Sequence, residues 1–565
     1  MKSGKFPGLA LAFLCAIVPS GGAQMSPAKV AALESNLQHV KAAYNRLPAN
    51  KKLLLDGASN VVQFADFWHR TGMRFADPAF AAARVQRVSA RPAATSATTN
   101  KIIPISATGL FQDLSGSTLA GFTQSESSTA RCGNNVVVGF NDSGGIFETP
   151  LFLTGAGGES LAGFAYSTDG GHTFTDGGPV DPGPNFGSLL GGDPVLSCSN
   201  PSTFYYSQLF LFSDAAGNPV TAVAVNKSTD GGHSFGEPVV VIGKDGLSHF
   251  LDKPWSAVDP SNPKNIYVSY TDFDGSGTSK ACGKLMRTAI EFVVSHDAGA
   301  TWSAPKVASE VCDNEAVSGS QVALDSKGTM HIAWIDLGPT FPEGNRTIFQ
   351  SIYAGGVLLP PVTVDIIQPG GDAFLLQGAF RDFLGMAMAV DHSRTGSDGM
   401  VYITWADGRN KRLPDPVASQ GVYGYDDILL RVSFDDGSHF GFFSQVNSDF
   451  QSRLGPGHDH YQPGIAIDKT GTIGICWYDR RNDPENFSVG RFCATSNNNG
   501  ITFTNINTNL APYTPAHGND EILNPVYMGD YDQPASDSLN QEAGFFGAFE
   551  AQGNRGNPNV VGFEF

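Results

Sequence analysis

One eight-residue phrase recurs along the chain, and no other feature restricts the fold as much. STDGGHTF (Ser167 to Phe174), STDGGHSF (Ser228 to Phe235) and SHDAGATW (Ser295 to Trp302) share the form S-x-D-x-G-x-[S/T]-aromatic. SFDDGSHF (Ser433 to Phe440) carries His439 at the hydroxyl position, and SNNNGITF (Ser496 to Phe503) carries Asn498 at the Asp position. A further position, SIYAGG at Ser351, keeps only traces. A second phrase precedes the boxes: an alternating segment, then an apolar strand ending in an acid, as in Asp252 to Asp272, Ser320 to Asp336 and Gln462 to Asp479. The steps between boxes run to roughly 60 to 80 residues, which suits a four-stranded unit with its loops. Units of fixed period that cannot bury both faces alone must stack, as a solenoid or a propeller.

Composition agrees with strands. Of 565 residues 66 are Gly, about 12% against a usual ~7%, and only 16% are charged against ~25% in an average soluble domain. Gly-rich turns between short strands account for that balance better than helices do. The formal net charge of −18 disfavours nucleic acid, whose phosphates require clustered Lys and Arg.

The chain begins with Lys2 and Lys5 ahead of an apolar run from Leu9 to Val18 and small residues ending at Ala23. This reads as a secretory signal over residues 1–23, too short to span a bilayer, and its loss leaves a charge of about −20. A secreted, extracellular or periplasmic protein is expected. Cys15 leaves with the signal, and the six remaining cysteines, an even number in an exported chain, suggest disulfides. Residues 24–100 read as two helices and a linker: Ser26 caps, Pro27 suits a first helical position, and Val30, Leu33, Leu37, Val40 and Tyr44 recur at helical spacing.

From about residue 101 to 565 the boxes resemble the Asp-box (BNR) repeat of the sialidase-like propellers. The resemblance implies an all-β propeller of four-stranded blades, with each box a turn between a blade's third and fourth strands. Asp169, Asp230, Asp297, Asp435 and Asn498 are then structural, as Asx-type turns are. About 465 residues divided among seven blades gives about 66 each, so seven are favoured over six. The closing blade would take GDYDQPASD, GFFGAFEA and NVVGFEF, with KIIPIS near Lys101 as its fourth strand. The same layout suggests the pairs Cys132 with Cys198, Cys282 with Cys312 and Cys476 with Cys493.

With the boxes at the bottom, two sets of top loops are acidic. Glu126, Asp193, Asp252, Asp382, Asp459 and Asp530 enter first strands; Asn141, Asp142, Asp272, Asp336, Asp407 and Asp479 leave second strands. Such a ring needs protons, Arg or Lys partners, or a cation, with calcium the candidate; alternatively the acids cap loops in every blade. Arg381, Arg409, Arg480 and Arg481 could converge on a substrate carboxylate, or each could pair with an acid nearby. The resemblance further implies a tyrosine nucleophile and an acid/base carboxyl. Tyr461 and Tyr527 are the tyrosine candidates, and Asp252, in LDKPW, with Asp193 the carboxyl candidates. The family's F/Y-R-I-P signature is absent; Arg131, the nearest arginine, falls within a strand and faces the wrong end. GHDHYQP (Gly457 to Pro463) places two histidines beside Asp459, as a metal site or a solvated loop. No G-x-S-x-G, H-E-x-x-H or phosphate-binding glycine loop is present. Two functions follow: a secreted exo-glycosidase resembling sialidases, or a noncatalytic propeller binding an extracellular glycan or protein. A monomer is expected.

Overall fold

The computed structural model describes residues 103–565 except 107–108, 114–122, 146–148, 150–155, 314, 341–343, 369–374, 377–379, 382–384, 410–425, 450–457, 509–511, 514–528 and 553–557, together with five isolated positions between 31 and 46. The expected signal and linker lie outside the described residues, and so does the expected N-terminal helical segment apart from those five, which are helical. Among the described residues no helix is long and apolar enough to cross a membrane.

The protein is an all-β propeller. Six blades follow one another in chain order as antiparallel meanders, with first strands Gln124–Cys132, Leu189–Asn200, His249–Val258, Val317–Leu324, Ala387–Val390 and His460–Ile467. A further four-stranded sheet joins the last described strands to the first, in the order Phe546–Gln552, Pro558–Glu564, Gly109–Asp113, Ile103–Ser106. KIIPIS supplies the fourth strand of this sheet, as expected, but the strand beside the C-terminal one is Gly109–Asp113, through Gln112 opposite Gly562 and Asp113 opposite Val561. Ile103–Ser106 lies one strand further out. The GDYDQPASD segment runs along the inner edge of this sheet, bridging to Ser128 and Arg131 in parallel and to Phe546 in antiparallel sense.

The periodicity of the strands explains the packing. Second and third strands such as Ile266–Asp274 and Arg287–Ser295 are buried on both faces and rich in apolar residues. Outer strands such as Lys306–Cys312 are half-buried to exposed throughout. The apolar cores therefore lie between blades. One cluster joins Ile475 and Trp477 of the sixth blade to Ile428 and Leu430 of the fifth and Phe549 and Phe563 of the closing sheet.

All five boxes form the same turn. Ser167 Oγ donates to Asp169 Oδ1 at 2.7 Å and accepts from the Gly171 amide, while Asp169 accepts from the Thr173 amide and hydroxyl. In the fourth the His439 ring lies 2.7 Å from Asp435, and in the fifth Asn498 donates to Thr502. Box aromatics lock neighbouring blades: Phe174 packs on Phe546 and Phe235 on Phe164, with centroids 5.0 and 5.1 Å apart. Thr301 pulls the Asp297 carboxyl down to about 2. These carboxylates are occupied by the turns they close.

Three disulfides join Cys132 to Cys198, Cys282 to Cys312 and Cys476 to Cys493. The first ties blade one to blade two across 66 residues of sequence. Replacing Cys132 and Cys198 together by Ala is expected to lower stability by about 4 kcal/mol by loop-closure entropy. Urea unfolding should show this as a lower midpoint with a steeper slope, because the uncrosslinked denatured chain exposes more surface; an unchanged midpoint would contradict it.

Candidate functional site

At the loop end of five of the six first strands the backbone performs one repeated manoeuvre. The ladder slips by a bulge between Ser125 and Ser128, Gly192 and Val195, Asp252 and Trp255, Ser318 and Gln321, and Tyr461 and Gly464. Inside these bulges Glu126, Asp193, Lys253 and Gln462 adopt φ of 54°, 56°, 50° and 48°, and Gly319 takes the corresponding place at 66°. Left-handed backbone at a side chain with a Cβ costs on the order of 1–3 kcal/mol and persists where surroundings over-determine it. Bulges of this kind re-aim side chains. Here they turn a glutamate, an aspartate and a lysine from three consecutive blades toward one point.

Lys253 is the hub. Its Nζ lies 3.1 Å from Glu126 Oε1, 3.9 Å from Asp193 Oδ2, and in contact with Asp530 Oδ2. Its ammonium also sits 5.7 Å from the Tyr531 ring centre. Asn141 braces the acids, donating to Glu126 at 2.9 Å and accepting from the Asp193 amide. All four ionic groups are buried.

The carboxyls form a chain. Asp193 lies between Glu126 and Asp252, and each acid acts on the next. No N–H or O–H donor among the described residues reaches either Asp252 oxygen, so a hydrogen bond between it and Asp193 requires that one of the two hold a proton. Burial pushes Asp193 up to about 7 and Asp252 up to about 6, against the pull of Lys253 on both. Burial, with Asp193 beside it, raises Glu126 well above the carboxylate range.

A second buried link lies nearby. Arg491 of the sixth blade stacks on Tyr478 and Phe549 and reaches Asp532 at 3.6 Å, and Asp532 accepts from the Ser127 hydroxyl at 2.6 Å. Gly464 lets this segment approach: a Cβ there would sit 2.1 Å from the Asp532 carbonyl oxygen.

Three of the four arginines considered as a substrate clamp are each paired with acids of the protein itself. Arg409 binds Asp407 at 2.8 Å and Asp365 at 3.1 Å; Arg481 binds Asp479 at 2.6 Å and Asp449 at 3.1 Å. Both belong to one W-x-D-x-R device, in which the indole N–H of Trp405 or Trp477 donates to the same carboxylate. Arg480 is fully buried, pairs with Asp459 at 3.0 Å, and lies over the Tyr461 ring. Arg381 occupies a two-stranded ribbon with Leu375–Leu376. Tyr461 stacks on Tyr478 inside the blade-six core, whereas the Lys253 hub is built from the first strands of the first, second and third blades. Tyr527 and Asp382 lie outside the described residues. Arg131 donates to the Gly133 carbonyl.

Neither metal arrangement considered from sequence forms as drawn. Asp459 pairs with Arg480 and Asn486, while His460 turns to the Asp426 carbonyl, Asp449 and Asp479. Burial would depress His460, but Asp479 and Asp449 outweigh it and hold the imidazole at about 9. Three ligand atoms do gather at His249, Asp272 and Asp274, within 4.8 Å of one another. Asp272 there already accepts from Lys244 at 2.7 Å and Arg287 at 3.2 Å, cations that occupy the charge a metal would neutralise.

Lys253, Arg491 and Asp532 were not singled out from sequence. The usable signal was positional: Lys253 stands where other repeats place Glu126, Asp193, Gly319 and Gln462.

No family model and no curated protein matches the chain. Among solved structures it is similar to an α-L-arabinofuranosidase from Fusarium graminearum complexed with arabinobiose, at 11% identity and TM-score 0.42 over 63% of this chain and 88% of that one. An α-L-arabinanase from Penicillium chrysogenum aligns at 11% identity and TM-score 0.41, over 64% and 92%. Trypanosoma rangeli sialidase aligns at 12% and 0.37, over 79% and 55%.

Asp193 and Asp252 bind their protons more tightly folded than the ~3.9 of a free aspartate. Their contribution to stability is therefore greatest below about pH 4, falls as pH rises through about 6 and 7, and is flat above. Melting temperatures of the protein and of Asp193→Asn between pH 5 and 8 check this. The variant should gain relative to wild type as pH rises; a constant difference would contradict the shared proton.

Proposed function

We propose that the chain is an exported propeller that binds extracellular glycans and does not cleave them. One observation carries the reading: the described cations at the loop end are already engaged by carboxylates of the protein itself, Lys253 by Glu126 and Asp530, Arg409 by Asp407, Arg480 by Asp459 and Arg481 by Asp479. A guanidinium held this way offers no free fork to a substrate. The glycan as ligand rests on the resemblance of the repeat, and the acidic chain disfavours polyanions such as nucleic acid.

A second reading is favoured by Asp252 alone. Its buried carboxyl has no donor and is held near about 6, a range in which a carboxyl can give a proton to a leaving oxygen at neutral pH. On that reading the protein is an exo-glycosidase in which Asp252 protonates the leaving oxygen while water, giving its proton to Asp193, forms the new bond to the anomeric carbon, and the proton passes from Asp193 back to Asp252. Calcium, if it binds, has its best-placed oxygens at Asp272 and Asp274.

The two readings separate in one assay. The purified protein and Asp252→Asn are incubated with a panel of sialosides and neutral aryl glycosides, with and without calcium. Binding without sugar release is expected; release that disappears in Asp252→Asn would establish the hydrolase.

A further inference from the structure

A cavity opens at the opposite end of the axis from the Lys253 hub. It has a volume of about 560 Å³ and is lined by the ends of first strands from all six consecutive blades and by the segment around Gln533–Asn540. The hairpins that follow those first strands lie at the box-turn end, because box glycines bond to them: Gly170 to the Asn134 carbonyl and Gly231 to the Ser202 carbonyl. The volume falls within the ~300–1,000 Å³ typical of small-molecule sites.

The floor is aromatic. Trp255 lines the cavity and meets Tyr531 edge to face, with centroids 5.5 Å apart. Beyond these rings the voids shrink to about 40 Å³ beside Lys253 and about 10 Å³ beside Asp532. The acid hub and the cavity are thus distinct places on one axis.

The walls carry hydrogen-bonding groups without partners. Thr129 Oγ1, Ser197 Oγ, Ser256 Oγ and Asn540 Oδ1 all belong to lining residues, and none has a hydrogen-bond partner among the described residues. Thr129 and Ser256 are 2% and 4% exposed. Thr129, Ser197 and Ser256 bring three hydroxyl side chains from adjacent blades to the cavity wall, their oxygens turned inward as they stand. Rotation about χ1 to another staggered rotamer brings such a hydroxyl to an occupant.

The mouth adds a cation. Arg394 is exposed, lines the cavity, and makes no ion pair among the described residues. It holds φ of 61°, left-handed backbone that a Gly would adopt without strain.

We propose that the box-turn end of the central channel is a saccharide-binding site for a terminal unit of one or two sugar rings. The apolar face of a ring lies against Trp255, its hydroxyls bond with Thr129, Ser197, Ser256 and Asn540, and Arg394 forks onto a carboxylate or vicinal hydroxyls at the mouth. The glycan reading supplies the class of ligand; the location stands on the cavity.

Tryptophan fluorescence and titration calorimetry with galactose, N-acetylglucosamine, arabinose, glucuronic acid and N-acetylneuraminic acid test it, on the wild type, Ser256→Val, Arg394→Gly and, as a control at an exposed position away from the cavity, Lys280→Ala. Saturable binding of at least one sugar is expected, weakened at least tenfold by Ser256→Val and unchanged in Lys280→Ala. Arg394→Gly, which relieves backbone strain and leaves the fold intact, should weaken the acidic sugars more than the neutral ones. Binding untouched by Ser256→Val and Arg394→Gly would overturn the site while leaving the glycan reading standing. Absence of binding by every sugar would overturn both.

Discussion

A propeller is only as stable as its closure, and here closure converges on one buried ammonium. Lys253 of the third blade holds Glu126 of the first, and Asp530 from the segment along the closing sheet, with Asp193 of the second 3.9 Å away. Desolvating these charges is costly, and the buried pairs offset that cost without adding much net stability. Their effect is specificity: an ammonium without its carboxylates, or the reverse, is strongly unfavourable in the interior. Only the register that brings the blades around one axis satisfies all of them. Arg491, Asp532 and Ser127 repeat the principle between the sixth and first blades.

The same economy of charge shapes the functional reading. Carboxylates around the loop-end rim neutralise cations that could have met a substrate, and excess negative charge at the hub is relieved by protons shared along Glu126, Asp193 and Asp252. The box-turn end is the reverse. There the turn carboxylates are bonded to their own loops, as Asp259 is to Ser261 and Asn265, and the groups left unbonded are neutral hydroxyls around an aromatic floor.

Much of the fold was legible because a propeller is a local repeat. A box needs only its own eight residues, so Ser295 and Asp297 find each other whatever the rest of the chain does, and an apolar run such as Ile473–Asp479 declares its burial on both faces. The closing sheet was harder. KIIPIS and the following GLFQD are both short and strand-like, and only the pairing of Gln112 with Gly562 across the whole chain decides which is adjacent. The site was harder still. Lys253 meets residues 127 positions before it and 277 after it, through bulges whose slip no composition reveals. Arg409 and Arg481 looked like clamps because their charge was visible and the nearby Asp365 and Asp449 partners were not.

The central claim is that Lys253 and its acids act as one closure unit. A double-mutant cycle between Lys253→Met and Asp530→Asn, read by urea unfolding, tests it most directly. A coupling energy of about 1.5 kcal/mol or more is predicted, because each single change strands the other's charge in the interior. Strictly additive effects of the two substitutions would contradict the account.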